Sequence, residues 1–135
     1  MMNNAEKNTI IGLIRDRIDD PIAIYLFGSR ATEAVHEKSD IDIAVLPTEA
    51  LDGSLRWDVQ QDLAIALHSP VDLVDLRSAS TVMRFQVVSN GELLFEADRT
   101  ARAEFEMTTL SMYTRFNVER REILEQVARD GRVYG

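Results

Sequence analysis

Two short segments, Leu26-Phe-Gly-Ser-Arg30 and Ser39-Asp-Ile-Asp42, decide the fold, and ten residues separate Ser29 from Asp40. Residues 21–27 form an uncharged, β-branched and aromatic run, which predicts a buried strand that ends at Gly28. A Gly-Ser turn directly after such a strand leaves backbone N–H groups and a hydroxyl free to face an anion. The first segment therefore predicts a cradle for a polyphosphate.

Asp40 and Asp42 open the next predicted strand. Because they lie two residues apart, their side chains project from the same face, about 6.5–7 Å apart along the chain. Two carboxylates at that spacing repel each other unless cations lie between them, and oxygen ligands without His or Cys favour Mg²⁺ or Mn²⁺. The pair therefore predicts a divalent metal site, with Ile41 and Ile43 facing the core on the opposite side.

The segment Val71-Asp-Leu-Val-Asp75 supplies a third carboxylate. Asp72 and Asp75 are three residues apart in a predicted strand, so one of them faces the site and the other does not. We choose Asp72, which lies early in an apolar strand, and expect Asp75, near the strand's end, to be exposed to solvent. Three carboxylates and a phosphate cradle predict a two-metal site that aligns a hydroxyl with an α-phosphate, which indicates phosphoryl or nucleotidyl transfer.

The rest of the pattern predicts an α+β fold, in which a small mixed β-sheet is backed by helices and a long C-terminal helix follows. We expect Ser54, Ser80 and Asp98 to cap the last three helices. The predicted strands are residues 21–27, 41–46, 71–76 and 92–96, and the predicted helices are residues 5–18, 54 to before Pro70, 79–89 and 98–129. The apolar face predicted for the last helix comprises Phe105, Leu110, Tyr113, Phe116, Val118, Ile123, Leu124 and Val127.

Composition limits the function classes. A chain of 135 residues with 45% apolar and 28% charged side chains is typical of one globular domain. It has 15 basic and 23 acidic residues, a net charge of −8, which argues against binding duplex nucleic acid through its phosphates. Without cysteine or a long apolar run, we expect a cytoplasmic protein that does not enter the membrane.

The arrangement of Gly28-Ser29, Asp40-x-Asp42 and a later Asp72 resembles the signature of the DNA polymerase β-like nucleotidyltransferase superfamily. More narrowly, the chain is similar to the minimal nucleotidyltransferase (MNT) antitoxins that are encoded beside HEPN-domain toxins. The likeness is good over about residues 8–98 and loose over the last helix. It implies that residues 1–135 form a single minimal nucleotidyltransferase domain, with a core over about 8–98 and a C-terminal helix over about 98–130 that contacts a partner.

What the resemblance implies is an enzyme, a protein adenylyltransferase. It would transfer AMP from ATP to a tyrosine of its cognate HEPN ribonuclease toxin, inactivate that toxin and release pyrophosphate, as the antitoxin of a type VII-like toxin–antitoxin pair. The implied partners are ATP, two Mg²⁺ ions (or Mn²⁺) and the toxin, in a hetero-oligomer. The resemblance implies no direct contact with nucleic acid.

The resemblance also implies roles for individual residues. Gly28 and Ser29 would hold the triphosphate, and Arg30 would contact a phosphate. Asp40 and Asp42 would bind both metal ions. Asp72 would bind the ion nearer the nucleophile and help to deprotonate the tyrosine hydroxyl.

The sequence is also compatible with two other functions. The same fold could neutralise the toxin by binding alone, with the acidic site as a relic, and the intact set of carboxylates argues against this. A small-molecule nucleotidyltransferase of the kind that modifies aminoglycosides is the other alternative. Such enzymes generally add a further domain or a dimer surface to hold the acceptor, and here only residues 99–135 follow the catalytic body.

Overall fold

The chain alternates helices and strands in an α+β arrangement, as predicted. The computed structural model describes residues 2–28 and 40–130. Within these ranges four helices and four strands follow one another: α1 (Asn4–Arg17), β1 (Ala23–Phe27), β2 (Ile41–Leu46), α2 (Gly53–Leu67), β3 (Val71–Asp75), α3 (Thr81–Asn90), β4 (Glu92–Glu96) and α4 (Arg99–Arg129). Each of these helices is too short or too polar to cross a membrane.

Side chains cap the helices at their N-termini. Ser80 accepts a hydrogen bond from the backbone N–H of Met83, and Asp98 accepts one from Ala101, so both predicted caps are confirmed. The N-cap predicted for α2, Ser54, is wrong by two positions. Asp52 is the cap, and its Oδ1 accepts from both the backbone N–H and the hydroxyl of Ser54. A carboxylate there satisfies an N–H that the first helical turn leaves unpaired.

The four strands form one mixed sheet in the order β3-β2-β1-β4. β1 pairs with β2 and with β4 in antiparallel orientation, so the predicted neighbours β1 and β2 are adjacent. β2 and β3 are parallel, and α2 makes the crossover that a parallel pair requires. In their register Asp42 lies opposite Asp72. The parallel pair therefore brings together two carboxylates that are thirty residues apart in the chain.

The two faces of the sheet bury different helices, because successive side chains along a strand alternate. On one face, Ile41, Ile43 and Leu73 pack with the apolar sides of α1 and α2. On the other face, Tyr25 and Ala44 pack with Val87 of α3, and Phe105 of α4 lies against them; the positions of Asp42 and Asp72 belong to this face. The carboxylates therefore point toward α3, while their strand neighbours Ile41, Ile43 and Leu73 fill the core on the opposite face.

The first half of α4 is attached to the sheet by polar contacts. The Tyr25 hydroxyl donates to Glu106 over 3.1 Å, and the Arg102 guanidinium binds both Glu96 of β4 and Glu106. Burial and the nearby Glu106 carboxylate raise the pKa of the Tyr25 phenol far above its ordinary value of about 10. The phenol is thus a hydrogen-bond donor that holds the helix in place.

The second half of α4 lies exposed. Tyr113 is the last partly buried residue of the helix, and its ring stacks on Phe85 with centroids 3.7 Å apart. The apolar stripe continues beyond it, yet Ile123 and Leu124 are 64% and 59% exposed. Of the predicted apolar face, Phe105 and Tyr113 are partly buried, whereas Leu110 and every member from Phe116 onward are exposed. The distal stripe comprises Phe116, Ile123, Leu124 and Val127.

Candidate active site

Two carboxylates face each other at the start of the parallel strand pair. Asp42 and Asp72 each occupy the second position of a strand, directly opposite one another, and their neighbours Ile41, Ile43 and Leu73 are buried on the other face. Both line one cavity of about 550 Å³ between the sheet and α3. The size lies within the range of small-ligand sites. The fold therefore places two acids on the wall of a cavity able to hold a small ligand.

The acids repel one another. Partial burial raises the pKa of the Asp42 carboxyl above its ordinary value, and the negative charges of Asp72 and then Asp40 raise it further. Asp40 itself lies exposed, directly before β2. Ionisation of Asp42 is therefore less favourable here than in water, and a nearby positive charge would favour it.

Gly28 ends β1 at the edge of the same cavity. Its φ is +72°, in the left-handed region that glycine adopts without strain, and a Cβ at this position would overlap Oδ2 of Asp42. The residue must be glycine because the backbone passes directly against the Asp42 carboxylate. Ser29 and Arg30, which sequence reasoning places in the phosphate cradle, lie outside the described residues.

The other carboxylate of β3 has a different role from the one expected. Asp75 is buried, with 5% of its surface exposed, so the expectation that it faces solvent is wrong. Its oxygens accept hydrogen bonds from the backbone N–H groups of Leu51 at 2.8 Å and Arg77 at 2.9 Å, and from the Ser78 hydroxyl at 3.1 Å. Asp75 therefore organises the turn after β3, while Asp72 lies in the cavity.

Sequence reasoning missed the wall opposite the acids. Met83, Gln86 and Asn90 of α3 line the cavity together with Phe27. These three helical residues are three and four positions apart, so they lie along one face of α3. The signal in the sequence is a pair of amide residues at i and i+4, Gln86 and Asn90, in the helix that follows the acidic strand, whereas its apolar positions alone predict the helix.

Comparison with known proteins identifies the family. Residues 8–100 match the family described as polymerase beta, nucleotidyltransferase. The chain belongs to this nucleotidyltransferase family. It is 47% identical over 126 residues, 93% of this chain and 90% of the relative, to the protein adenylyltransferase MntA of Shewanella oneidensis.

Solved structures agree with this assignment. A crystal structure of a toxin–antitoxin with AMP-PNP is 48% identical with a TM-score of 0.82, over 90% of this chain and 98% of that one. A structure of the tri-AMPylated Shewanella oneidensis HEPN toxin in complex with the MNT antitoxin is 45% identical with a TM-score of 0.79, over 94% of this chain and 99% of that one. The predicted nucleotidyltransferase fold is confirmed.

The donor set of this nucleotidyltransferase suits a hard divalent cation. Asp42 and Asp72 offer carboxylate oxygens with repelling charges, and such oxygens are the ligands that Mg²⁺ and Mn²⁺ prefer. Within residues 2–28 and 40–130, no three His, Asp or Glu side chains converge closely enough to enclose an ion. The structure brings Asp42 and Asp72 opposite each other, and the charge of Asp40, which precedes β2, acts on Asp42 from nearby.

Proposed function

We propose that this protein transfers AMP from ATP to a tyrosine of a cognate HEPN-domain ribonuclease toxin and thereby inactivates the toxin. The observation that carries the proposal is the in-register pair Asp42 and Asp72, which faces a cavity beside the glycine turn at Gly28. The similarity to an adenylyltransferase and to toxin–antitoxin complexes over more than nine-tenths of the chain supports the substrate and the partner.

The reaction is a displacement at phosphorus. The tyrosine oxygen attacks the α-phosphorus of ATP, the bond from that phosphorus to the bridging oxygen breaks, and pyrophosphate leaves. Two divalent cations, Mg²⁺ or Mn²⁺, would neutralise the charge that builds on the phosphate oxygens. Asp40 and Asp42 would hold both ions, and Asp72 would hold the ion nearer the nucleophile.

Asp72 also suits a second task. It is exposed at the cavity mouth, whereas Asp42 lies deeper and is partly buried. A carboxylate at the mouth is accessible to a hydroxyl that arrives on another protein, and it can accept the phenolic proton as the new bond forms. Asp72 would therefore bind metal and act as the base.

The turn after β1 completes the proposed site. The Gly28 backbone lies against Asp42, so a triphosphate held by this turn would lie directly beside the acids. Gly28 and Ser29 would hold the triphosphate and Arg30 would contact a phosphate. The fold and the family match over residues 8–100 support a minimal catalytic domain.

The distal half of α4 would dock the toxin. Its stripe of Phe116, Ile123, Leu124 and Val127 is apolar and exposed, which is unfavourable for a free helix and typical of a surface that a partner covers. The solved complexes with a HEPN toxin match 94% of this chain, a span that must include most of α4. We further propose that the pair forms a hetero-oligomer in the cytoplasm.

The test of catalysis is the intact mass of the cognate toxin after incubation with this protein, ATP and Mg²⁺. Each transferred AMP adds about 329 Da, and we expect that gain with the wild type and with Asp58→Asn, an exposed acid of α2 that serves as control. Asp40→Asn/Asp42→Asn should give no gain. If the double variant still silences the toxin while the mass stays unchanged, the protein is a binding antitoxin.

The docking surface needs a separate experiment. Ile123→Glu places a charge in the stripe, and Asn117→Glu places the same charge at an exposed polar position of α4. We expect the toxin to co-purify with Asn117→Glu and to be lost from Ile123→Glu. Equal recovery with both variants would move the interface elsewhere.

A further inference from the structure

The cavity has one charged wall and one uncharged wall. Asp42 and Asp72 form the first, beside Gly28, and Met83, Gln86 and Asn90 of α3 form the second. No Lys or Arg is among the cavity's described lining residues. The α3 wall therefore has nothing to attract a triphosphate, and it suits the uncharged part of a nucleotide.

The two amides on this wall, Gln86 and Asn90, are exposed and line the cavity. The side-chain hydrogen bonds of α3 include those of Ser80, which caps the helix, and of Arg84, which donates to the Leu76 carbonyl at 2.7 Å and to the Arg77 carbonyl. Arg84 is thus occupied at the end of β3, whereas the amides face the cavity.

The α3 wall runs in a definite direction away from the turn at Gly28. The last residue of α3 is Asn90, and two residues later Glu92 pairs with Leu26 of β1, so this end of α3 adjoins the turn at Gly28. Gln86 lies one helical turn further from it, and Met83 nearly one turn beyond, over about 10 Å in all. A nucleotide whose phosphates lie at Gly28 would pass Asn90 first and Gln86 next.

We propose that the α3 wall is the nucleoside subsite, in which Asn90 binds the ribose and Gln86 binds the hydrogen-bonding edge of adenine. The inference rests on the proposed function and names how ATP is selected. A side-chain amide carries one donor and one acceptor group, which match N7 and the N6 amino group of adenine. Guanine presents two acceptors, O6 and N7, on the same edge, so a single amide pairs with it poorly. Met83 and Phe27 supply the apolar surface that a base requires.

Nucleotide affinity tests the inference without the toxin. Calorimetry in Mg²⁺ compares AMP-PNP with GMP-PNP, and we expect the wild type to bind AMP-PNP at least about tenfold more tightly, as one bidentate pair allows. Gln86→Met keeps the length of the side chain and removes the amide. It should weaken AMP-PNP about tenfold and bring the two affinities close together. Asn90→Ala should weaken both nucleotides equally.

Gln61→Met is the matched control, because Gln61 is an exposed helical glutamine of α2 on the far side of the sheet. It should retain the affinities of the wild type, and melting temperatures should establish that all three variants fold. Equal binding of both nucleotides by the wild type, or an unchanged preference in Gln86→Met, would overturn the inference. A wild type that selects AMP-PNP but adds no mass to the toxin would instead overturn the proposed function and leave the subsite standing.

Discussion

Replacing Asp42 with Asn should stabilise the metal-free protein. Because the pKa of Asp42 is raised, its contribution to stability is favourable below pH about 4 and is lost as the carboxyl ionises at higher pH. Paired residues on adjacent strands lie about 5 Å apart, where two unit charges repel by about 0.8 kcal/mol in water and about 3 kcal/mol at an effective dielectric constant of 20. Both carboxylates reach solvent, so the lower end applies and Asn should gain about 1 kcal/mol.

Thermal unfolding at pH 7 in EDTA measures this gain. For a domain of this size it corresponds to a rise in Tm of about 3–5 °C. Asp72→Asn should produce a similar rise, and the double variant should gain less than the sum, because either substitution alone removes the repulsion. Adding Mg²⁺ should raise the Tm of the wild type and leave Asp42→Asn unchanged. A lower Tm for Asp42→Asn in EDTA, with Asp58→Asn unchanged, would refute the electrostatic reasoning.

Three further substitutions, unlike Asp42→Asn, should lower the stability of the protein or change its dependence on pH. Asp75→Asn should lower the free energy of unfolding by about 1–3 kcal/mol, as measured in urea. In the wild type the buried carboxylate accepts hydrogen bonds from two backbone N–H groups, and the amide of Asn would place an NH₂ donor against one of them. For Tyr25→Phe, the free energy of unfolding should fall less with rising pH above pH about 10 than it does for the wild type. The raised pKa of Tyr25 makes its ionisation unfavourable in the folded state, so the wild type loses stability there as pH rises. Unfolding followed by circular dichroism at a series of pH values measures the difference. Gly28→Ala should cost about 1–3 kcal/mol and weaken AMP-PNP binding in calorimetry, because φ is positive and the added Cβ displaces Asp42.

The fold follows from local patterns that the sequence displays. Strand β4 was predicted with its observed bounds, and Ser80 and Asp98 were predicted as caps, because short apolar runs, turn residues and cap residues act within a few positions of one another. The predicted cap of α2, Ser54, is wrong because two residues that can cap a helix, Asp52 and Ser54, lie two positions apart. A capping preference alone does not choose between them.

Long-range contacts account for what sequence reasoning missed. The helical period predicts the apolar face of α4 along its whole length, but it does not show where the sheet and α3 end, so the exposure of Ile123 was not foreseen. The burial of Asp75 depends on the loop before α2, whose Leu51 N–H reaches it from 24 positions away. Likewise, Gln86 enters the cavity only because α3 packs across the sheet.

The register between β2 and β3 determines the positions of both the acids and the core residues. A shift of one residue between β2 and β3 would place Asp42 opposite Val71 or Leu73 and would turn one carboxylate toward the apolar face. Burying a charged carboxylate there costs several kcal/mol, while Ile41 and Ile43 would lose their places in the core. The apolar neighbours of the acids, Ile41, Ile43 and Leu73, therefore hold the two carboxylates opposite each other against their repulsion. The free energy of core packing maintains a charge pair that a divalent cation would stabilise.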